Sequence, residues 1–419
     1  MPLPQIARAE FHGGLLSAAR IALVPLFLLG FVLASCSTSL PGMFGSSNPP
    51  IATQPGQQEG QAPVESQALP PGQGAIRVAL LLPLGAGGNA ATAAQSMKNA
   101  ADLALAEFGV TNIQLIVKDD RGTTQGAQAA VRAAIQEGAE IILGPLFSPA
   151  VAAAGQIARS RNIPIIAFST DTNVATSGVY LLSFLPESDV DRIVSYSASA
   201  GKRSIVAMLP ENAYGSVVEA QLQQVAGQRG ARVIAIQRYS ADKGKMSEAV
   251  RRVAAAAGQA DVVLIADAAE STPPIVQALA QAGVPLGRIQ LVGTGLWDDP
   301  SLLGDPKLNG AWYAAPDDSG YRAFSQRYKA RFGSDPVRTA SLAYDAVSLV
   351  AALVKTQGSD RFSQASLTNP SGFTGLDGVF RFRQDGTCER GLAVMEIRNG
   401  STRVISPAPR AFSTASAVN

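Results

Sequence analysis

The stretch GAEIILGPLFSPAVAAAGQIARSRNIPIIAFSTD, residues 138–171, constrains the fold more than any other part of this 419-residue chain. Glu140–Leu143 is a short apolar run with the length and composition of a strand buried on both faces. Gly144-Pro145 ends it, because Gly permits a sharp turn and Pro cannot continue a ladder. Ser148-Pro149 predicts a helix start, with a side-chain acceptor at the cap and a ring whose φ is already helical. The helix is expected to run to about Arg161; Asn162 breaks it, and Ile163–Phe168 reads as the next buried strand. Two parallel strands joined by a helix make a βαβ unit, and open α/β sheets bind ligands along the carboxyl edge of their strands. Gly144–Ser148 and Ser169–Asp171 fall on that edge, beside helix N-termini that favour anionic groups.

The same rhythm runs through the chain and predicts an α/β fold. Ile76–Leu82 and Ile113–Lys118 read as strands on either side of a helix over Thr92–Phe108, whose Ala94, Met97, Ala101, Leu105 and Phe108 recur at helical spacing. Tyr180–Leu185 is a further apolar run. Ser204–Leu209, Arg232–Gln237, Asp261–Ala266 and Gln290–Gly293 are the strands of a second set, and Gly310–Ala315 is another. Helices follow over Gly320–Phe332 and Arg338–Lys355, then short final strands around Ala393–Ile397 and Thr402–Ile405. The last dozen residues read as disordered.

Several chemistries are excluded by composition. The single histidine is His12, in a leader, so the mature chain has none, and Ser-His-Asp, Cys-His and His-metal sites are all ruled out. The two cysteines, Cys36 and Cys388, form no CxxC pair. No catalytic residue, metal site or cofactor is expected. Charged residues make up 16% of the chain; without the leader's Arg8, Arg20 and Glu10, 32 basic and 31 acidic residues remain. With no basic stripe, nucleic acid is not an expected partner.

Residues 1–35 carry Arg8 and Arg20 and an apolar run, Ile21–Ala34, too short and too interrupted for a spanning helix of about 20 residues. The run ends in Leu33-Ala34-Ser35-Cys36, which resembles a bacterial lipobox. Cys36 is therefore the expected lipidation site, its thiol accepting a diacylglycerol after signal cleavage. Residues 37–74 are rich in Pro, Gly, Gln and Ser and read as a tether. It would span about 34 Å as a flexible coil or about 118 Å in polyproline form.

Two motifs carry competing readings. Gly85-Ala-Gly87-Gly-Asn-Ala90 matches GxGxxG/A, with Asp119-Asp120 closing the next strand, which is a dinucleotide fingerprint on paper. The plainer reading is a tight strand-to-helix turn, since Pro83 disturbs the junction that the fingerprint needs. Asp119-Asp120 could serve acid/base chemistry, but Arg121 and Thr123 beside them point to a capped, salt-bridged turn.

At GPLFSP and IPIIAFST the chain resembles type I periplasmic-binding proteins, the leucine/isoleucine/valine-binding family. The GPL variant resembles the lipoprotein branch called penicillin-binding protein activators. YKARFGSDPVRTASLAYDAVSLVAAL is similar to the family's late helix pair, and Phe373-Thr-Gly375-Leu-Asp-Gly378 with Phe382 and Asp385-Gly386 to its ending. The resemblance implies two lobes, each a mostly parallel sheet flanked by helices. Lobe 1 would take residues 76–186 and 316–355, lobe 2 would take 187–315 and 356–406, and three crossovers would join them. Residues 36–75 would be the lipidated tether and 407–419 a disordered tail.

The resemblance also implies that Ser148, Ser169, Thr170, Tyr214 and Asp267 face the cleft, the hydroxyls meeting the carboxylate of an amino-acid-like ligand. Tyr214 reads equally well as a residue packed at its helix start. Trp297 at a strand's carboxyl end is a candidate stacking platform or a lobe–lobe contact. Leu296 and Trp297 stand where amino-acid binders often have an acidic residue, a departure that weakens a free amino acid as ligand. The implied function is that of a non-enzymatic lipoprotein anchored in the outer membrane, facing the periplasm, that binds and stimulates peptidoglycan synthases. Ser37 after the cysteine is the family feature that favours outer-membrane sorting. The alternative is the substrate-binding lipoprotein of an amino-acid or amide importer.

Overall fold

The computed structural model describes residues 74–109, 112–240 and 243–412. The expected leader, Cys36 and the expected tether up to residue 73 lie outside the described residues, as do residues 413–419. The first lobe begins with β1 (Ile76–Leu82), α1 (Gly88–Phe108), β2 (Ile113–Asp119), α2 (Thr124–Gln136), β3 (Ile141–Leu143), α3 (Ser148–Arg159), β4 (Ile165–Ala167) and β5 (Val179–Leu181). These strands form one sheet in the order β2-β1-β3-β4-β5, with every neighbouring pair parallel. The strands β3, β4 and β5 are only three residues each and wholly buried, which is why they read as bare apolar runs.

The second lobe follows with α4 (Pro186–Ser199), β6 (Ser204–Pro210), α5 (Ala213–Gln228), β7 (Arg232–Tyr239), α6 (Lys243–Ala256), β8 (Val262–Ile265), α7 (Thr272–Gln281), β9 (Gln290–Gly293), α8 (Pro300–Leu303) and β10 (Trp312–Ala315). The chain then returns to the first lobe through α9 (Ser319–Phe332), α10 (Ala340–Thr356), α11 (Gln364–Leu367), β11 (Phe373–Gly375), β12 (Gly378–Phe382) and β13 (Cys388–Arg390). It ends in the second with β14 (Ala393–Arg398) and β15 (Ser401–Ser406). The second sheet has the order β15-β14-β10-β9-β8-β6-β7, parallel from β10 to β7 and antiparallel at β14 and β15.

Residues 356–390, expected in the second lobe, belong to the first core. Strands β11, β12 and β13 form a separate antiparallel sheet. Its Phe380, Phe382 and Cys388 are buried with Leu80, Met97, Phe168, Tyr180 and Val347. The Phe382 ring lies 5.4 Å from that of Tyr180. The aromatic alternation of β12 needs an apolar face, and α10 with the edge of the first sheet supplies it. The third crossover thus falls at Gly391-Leu392. The expected tail also folds in part, since the Arg381 guanidinium stands 4.5 Å from the Phe412 ring.

The GPLFSP turn differs from expectation by one residue. Phe147, not a serine, occupies the N-cap of α3, Ser148 is the first helical residue, and no side chain caps the helix. Gly144-Pro145 is a cis peptide bond. Gly144 has φ 91°, and a Cβ there would lie 2.0 Å from the Leu81 carbonyl oxygen, so only glycine lets this turn cross β1.

Candidate functional site

The carboxyl edge of the first sheet carries the hydroxyls picked out by sequence, but they do not converge. Ser148 is partly buried, Ser169 is buried, and Thr170 is exposed. The Ser169 hydroxyl accepts the Asp171 N–H at 3.1 Å, so it is engaged in its own turn. On the same edge Asp119 accepts the N–H groups of Gly85 at 3.0 Å and Arg121 at 2.8 Å, and Thr123 caps α2 through Gly126 N–H. A Cβ at Gly85 would lie 2.4 Å from an Asp119 carboxylate oxygen. A carboxylate so close to the glycine loop repels the pyrophosphate that a dinucleotide fold must cradle. The acidic pair is a capped turn, and no ion pair joins it to Arg121 among the described residues. Burial pushes the Asp120 carboxyl up to about 6, the neighbouring Asp119 charge adding to the effect.

Between the lobes lies a cavity of about 200 Å³. The first crossover and the start of α4 contribute Phe184, Pro186 and Asp189; Tyr214 comes from the first turn of α5. The turn after β9 adds Gly295, Leu296 and Asp298, and the second crossover and the approach to α10 add Pro316 and Arg338. The Tyr214 hydroxyl and the Thr294 hydroxyl are 2.7 Å apart, which fixes the ring. Burial raises the Tyr214 phenol well above its usual range and Asp189 raises it further, so it stays neutral. Asp189 accepts the Gly295 N–H at 2.9 Å, tying α4 to the β9 turn. Burial pushes its carboxyl up to about 7, with Glu187 adding to the rise. Asp298 accepts the Tyr313 hydroxyl at 3.2 Å; burial raises its carboxyl, while Arg338 opposes the rise.

Arg338 is held on several sides. Its guanidinium donates to both Asp377 carboxylate oxygens, at 2.6 and 3.1 Å, and to the Ser341 hydroxyl at 3.0 Å. It also lies over the Tyr321 ring at 4.4 Å and the Phe184 ring at 4.5 Å. Arg390 lies over the Phe184 ring as well, at 4.8 Å, and donates to the Ser183 carbonyl at 3.1 Å. A stack of aromatic rings and guanidinium planes therefore binds the three crossovers together beside the cavity.

Trp297 is neither a platform nor a lobe–lobe contact. It is fully buried in the second-lobe core, over Gly293, where a Cβ would lie 2.1 Å from the indole. The exposed member of that turn is Leu296, at 41%. Asp267 lies at the end of β8, accepting the Tyr239 hydroxyl at 2.5 Å and the Ala268 N–H at 2.7 Å, outside the cavity lining. Of the sequence candidates only Tyr214 lines the cavity. Asp189, Asp298, Arg338 and Phe184 were not singled out. Asp189 looks like an ordinary first-turn carboxylate, and Arg338 like a solvent-facing charge before a helix. Cys388 is buried and unpaired, its thiol pushed up to about 11 by burial, and no group able to hold a metal ion occurs among the described residues.

The crossovers, the two sheets and the cavity between them fit a family model described as periplasmic binding protein, which matches residues 75–402. The chain belongs to the periplasmic binding protein family. Its fold is that of the type I, leucine/isoleucine/valine-binding-like members. A Rhodospirillum rubrum protein described as a branched-chain amino acid ABC transporter superposes with a TM-score of 0.71 at 20% identity, covering 79% of this chain and 100% of that one. The substrate-binding protein LivJ of Streptococcus pneumoniae, in complex with isoleucine, gives 0.56 at 18% identity over 79% and 99%. A solute-binding protein of R. palustris in complex with benzoate gives 0.56 at 20% identity over 82% and 99%. By sequence, uncharacterized protein RP748 of Rickettsia prowazekii (strain Madrid E) is 24% identical over 157 residues, which are 38% of this chain and 41% of that relative. Such identities carry the fold alone, and isoleucine and benzoate in two of these proteins show that the fold does not dictate the ligand. The family is periplasmic.

Proposed function

We propose that this periplasmic binding protein holds a small ligand between its lobes and performs no chemistry on it, serving an importer as its substrate-binding component. The observation that carries the reading is the interlobe cavity, walled by Phe184, Pro186, Leu296 and Pro316 and furnished with a few polar groups. The test is mass spectrometry of small molecules released on denaturation, followed by thermal melting with each. A true ligand at about a hundred times its Kd stabilises by about 2.7 kcal/mol. Leu296→Trp, on an exposed residue, fills the cavity and abolishes that gain. Absence of any released or stabilising molecule counts against the reading.

A second reading is favoured by a specific observation. Phe147, in the GPLF turn that resembles the synthase activators, is 37% exposed, an apolar side chain offered at the N-cap of α3. With Cys36 lipidated and residues 37–74 as a tether, such a surface would engage a peptidoglycan synthase at a distance from the outer membrane. Shortening residues 40–74 then lowers synthase stimulation in cells but not stimulation by the soluble domain. Loss of neither, or a membrane-extracted mature protein without the diacylglycerol mass on Cys36, removes this reading.

A further inference from the structure

Resting on the small-ligand reading, we infer that the cavity takes an organic cation with a compact branched apolar body, and not a zwitterionic amino acid or a carboxylate. Three groups on its wall bear charge: Asp189, Asp298 and Arg338. The positive one is already matched. Arg338 makes a two-pronged ion pair with Asp377, whose side chain is fully buried, and it lies over the Tyr321 and Phe184 rings. That pair is neutral as a unit, so a carboxylate entering the cavity would compete with Asp377 for the same guanidinium.

The negative groups are under-matched. Among the described residues the Gly295 N–H is the donor at hydrogen-bond distance to Asp189, and the nearby Glu187 bears charge of the same sign. Asp298 has the Tyr313 hydroxyl and a share of the Arg338 field. An ammonium placed between these carboxylates supplies the missing charge, while an anion meets two carboxylates across an apolar space. The apolar walls fix the other end of the ligand. A cavity of about 200 Å³ has room for a small aliphatic amine. The hydroxyls that would hold a carboxylate, Ser148, Ser169 and Thr170, line another part of the first-lobe edge.

Three compounds that share an isobutyl body test this directly. Leucine has both charges, 3-methylbutylamine lacks the carboxylate, and 4-methylpentanoate lacks the ammonium. In calorimetry on the detergent-solubilised full chain, the amine is expected to bind at least about tenfold tighter than leucine, with the acid the weakest. Asp189→Asn and Asp298→Asn each weaken the amine by about tenfold or more, the worth of a charged hydrogen bond. Should either variant fold poorly, Leu296→Trp, which removes no hydrogen bond, takes its place and is expected to abolish amine binding. Leucine or the acid binding as tightly as the amine overturns the cation inference and leaves the small-ligand reading standing. No heat from the amine also overturns it, and the small-ligand reading is then decided separately by the released-molecule experiment above.

Discussion

Arg338→Met tests whether the crossovers are clamped as described. Wild-type Arg338 makes two hydrogen bonds to Asp377, which is fully buried, and one to Ser341. Met preserves length and apolar bulk but leaves the Asp377 charge in the interior with the Ser341 hydroxyl as its remaining side-chain partner. Removing one member of a buried pair costs about 3–5 kcal/mol. Losing the contacts with Tyr321 and Phe184 adds about 0.5–2 kcal/mol. With a urea m-value of about 3 kcal/mol/M, the unfolding midpoint falls by roughly 1–2 M. The double variant Arg338→Met/Asp377→Asn, which deletes the stranded charge, recovers a large part of that loss. Arg338→Lys falls between, because an ammonium keeps the charge but neither the fork nor the planar stack. A midpoint shift below about 0.3 M in the single variant, or a double variant no better than the single one, refutes the clamp.

Three further outcomes follow from the same coordinates. Gly293→Ala drives a Cβ to 2.1 Å from the Trp297 ring and should cost about 1–3 kcal/mol in urea unfolding; the Trp297→Leu background relieves it. Asp345, buried against Asp377 and Arg390, has its carboxyl pushed up to about 7 by desolvation. A raised folded pKa means that this group's stabilising contribution, complete below about pH 4, is lost as pH climbs through about 7. Asp345→Asn should therefore flatten that part of the stability–pH curve, measured by melting between those limits. Ser148→Ala with Ser169→Ala should leave ligand affinity unchanged, since neither lines the cavity, and cost about 1 kcal/mol of stability through the lost turn bond of Ser169.

The alternation of strand and helix was legible because strands buried on both faces leave unbroken apolar runs such as Ile141–Leu143, with Gly and Pro at their ends. What a run cannot say is which other segment covers it. Phe373, Phe380 and Phe382 announce an apolar face, but only the coordinates show that α10 and the first sheet meet it. Trp297 misled because a tryptophan at a strand's carboxyl end looks available for stacking. Its burial depends on the Cβ that Gly293 lacks, four residues earlier. Asp189 and Arg338 escaped notice for the opposite reason. Charged residues near helix starts are ordinary on a solvated surface, and their importance arises from Gly295 and Asp377, more than thirty residues away in each case.

The threading of the first core has a consequence for how this protein is made. Helix α1 lies along α10, and Leu80 and Met97 share their core with Phe380, Phe382 and Cys388. The opening strands of the molecule are therefore sealed only when the chain has been delivered nearly to its end. A chain arrested or cleaved within residues 320–390 carries a complete set of first-sheet strands and still exposes their apolar face. The second sheet is likewise short of β14 and β15 until the same late moment. The parallel strands of each sheet are contiguous in sequence, yet each lobe draws on late segments of the chain to complete its core.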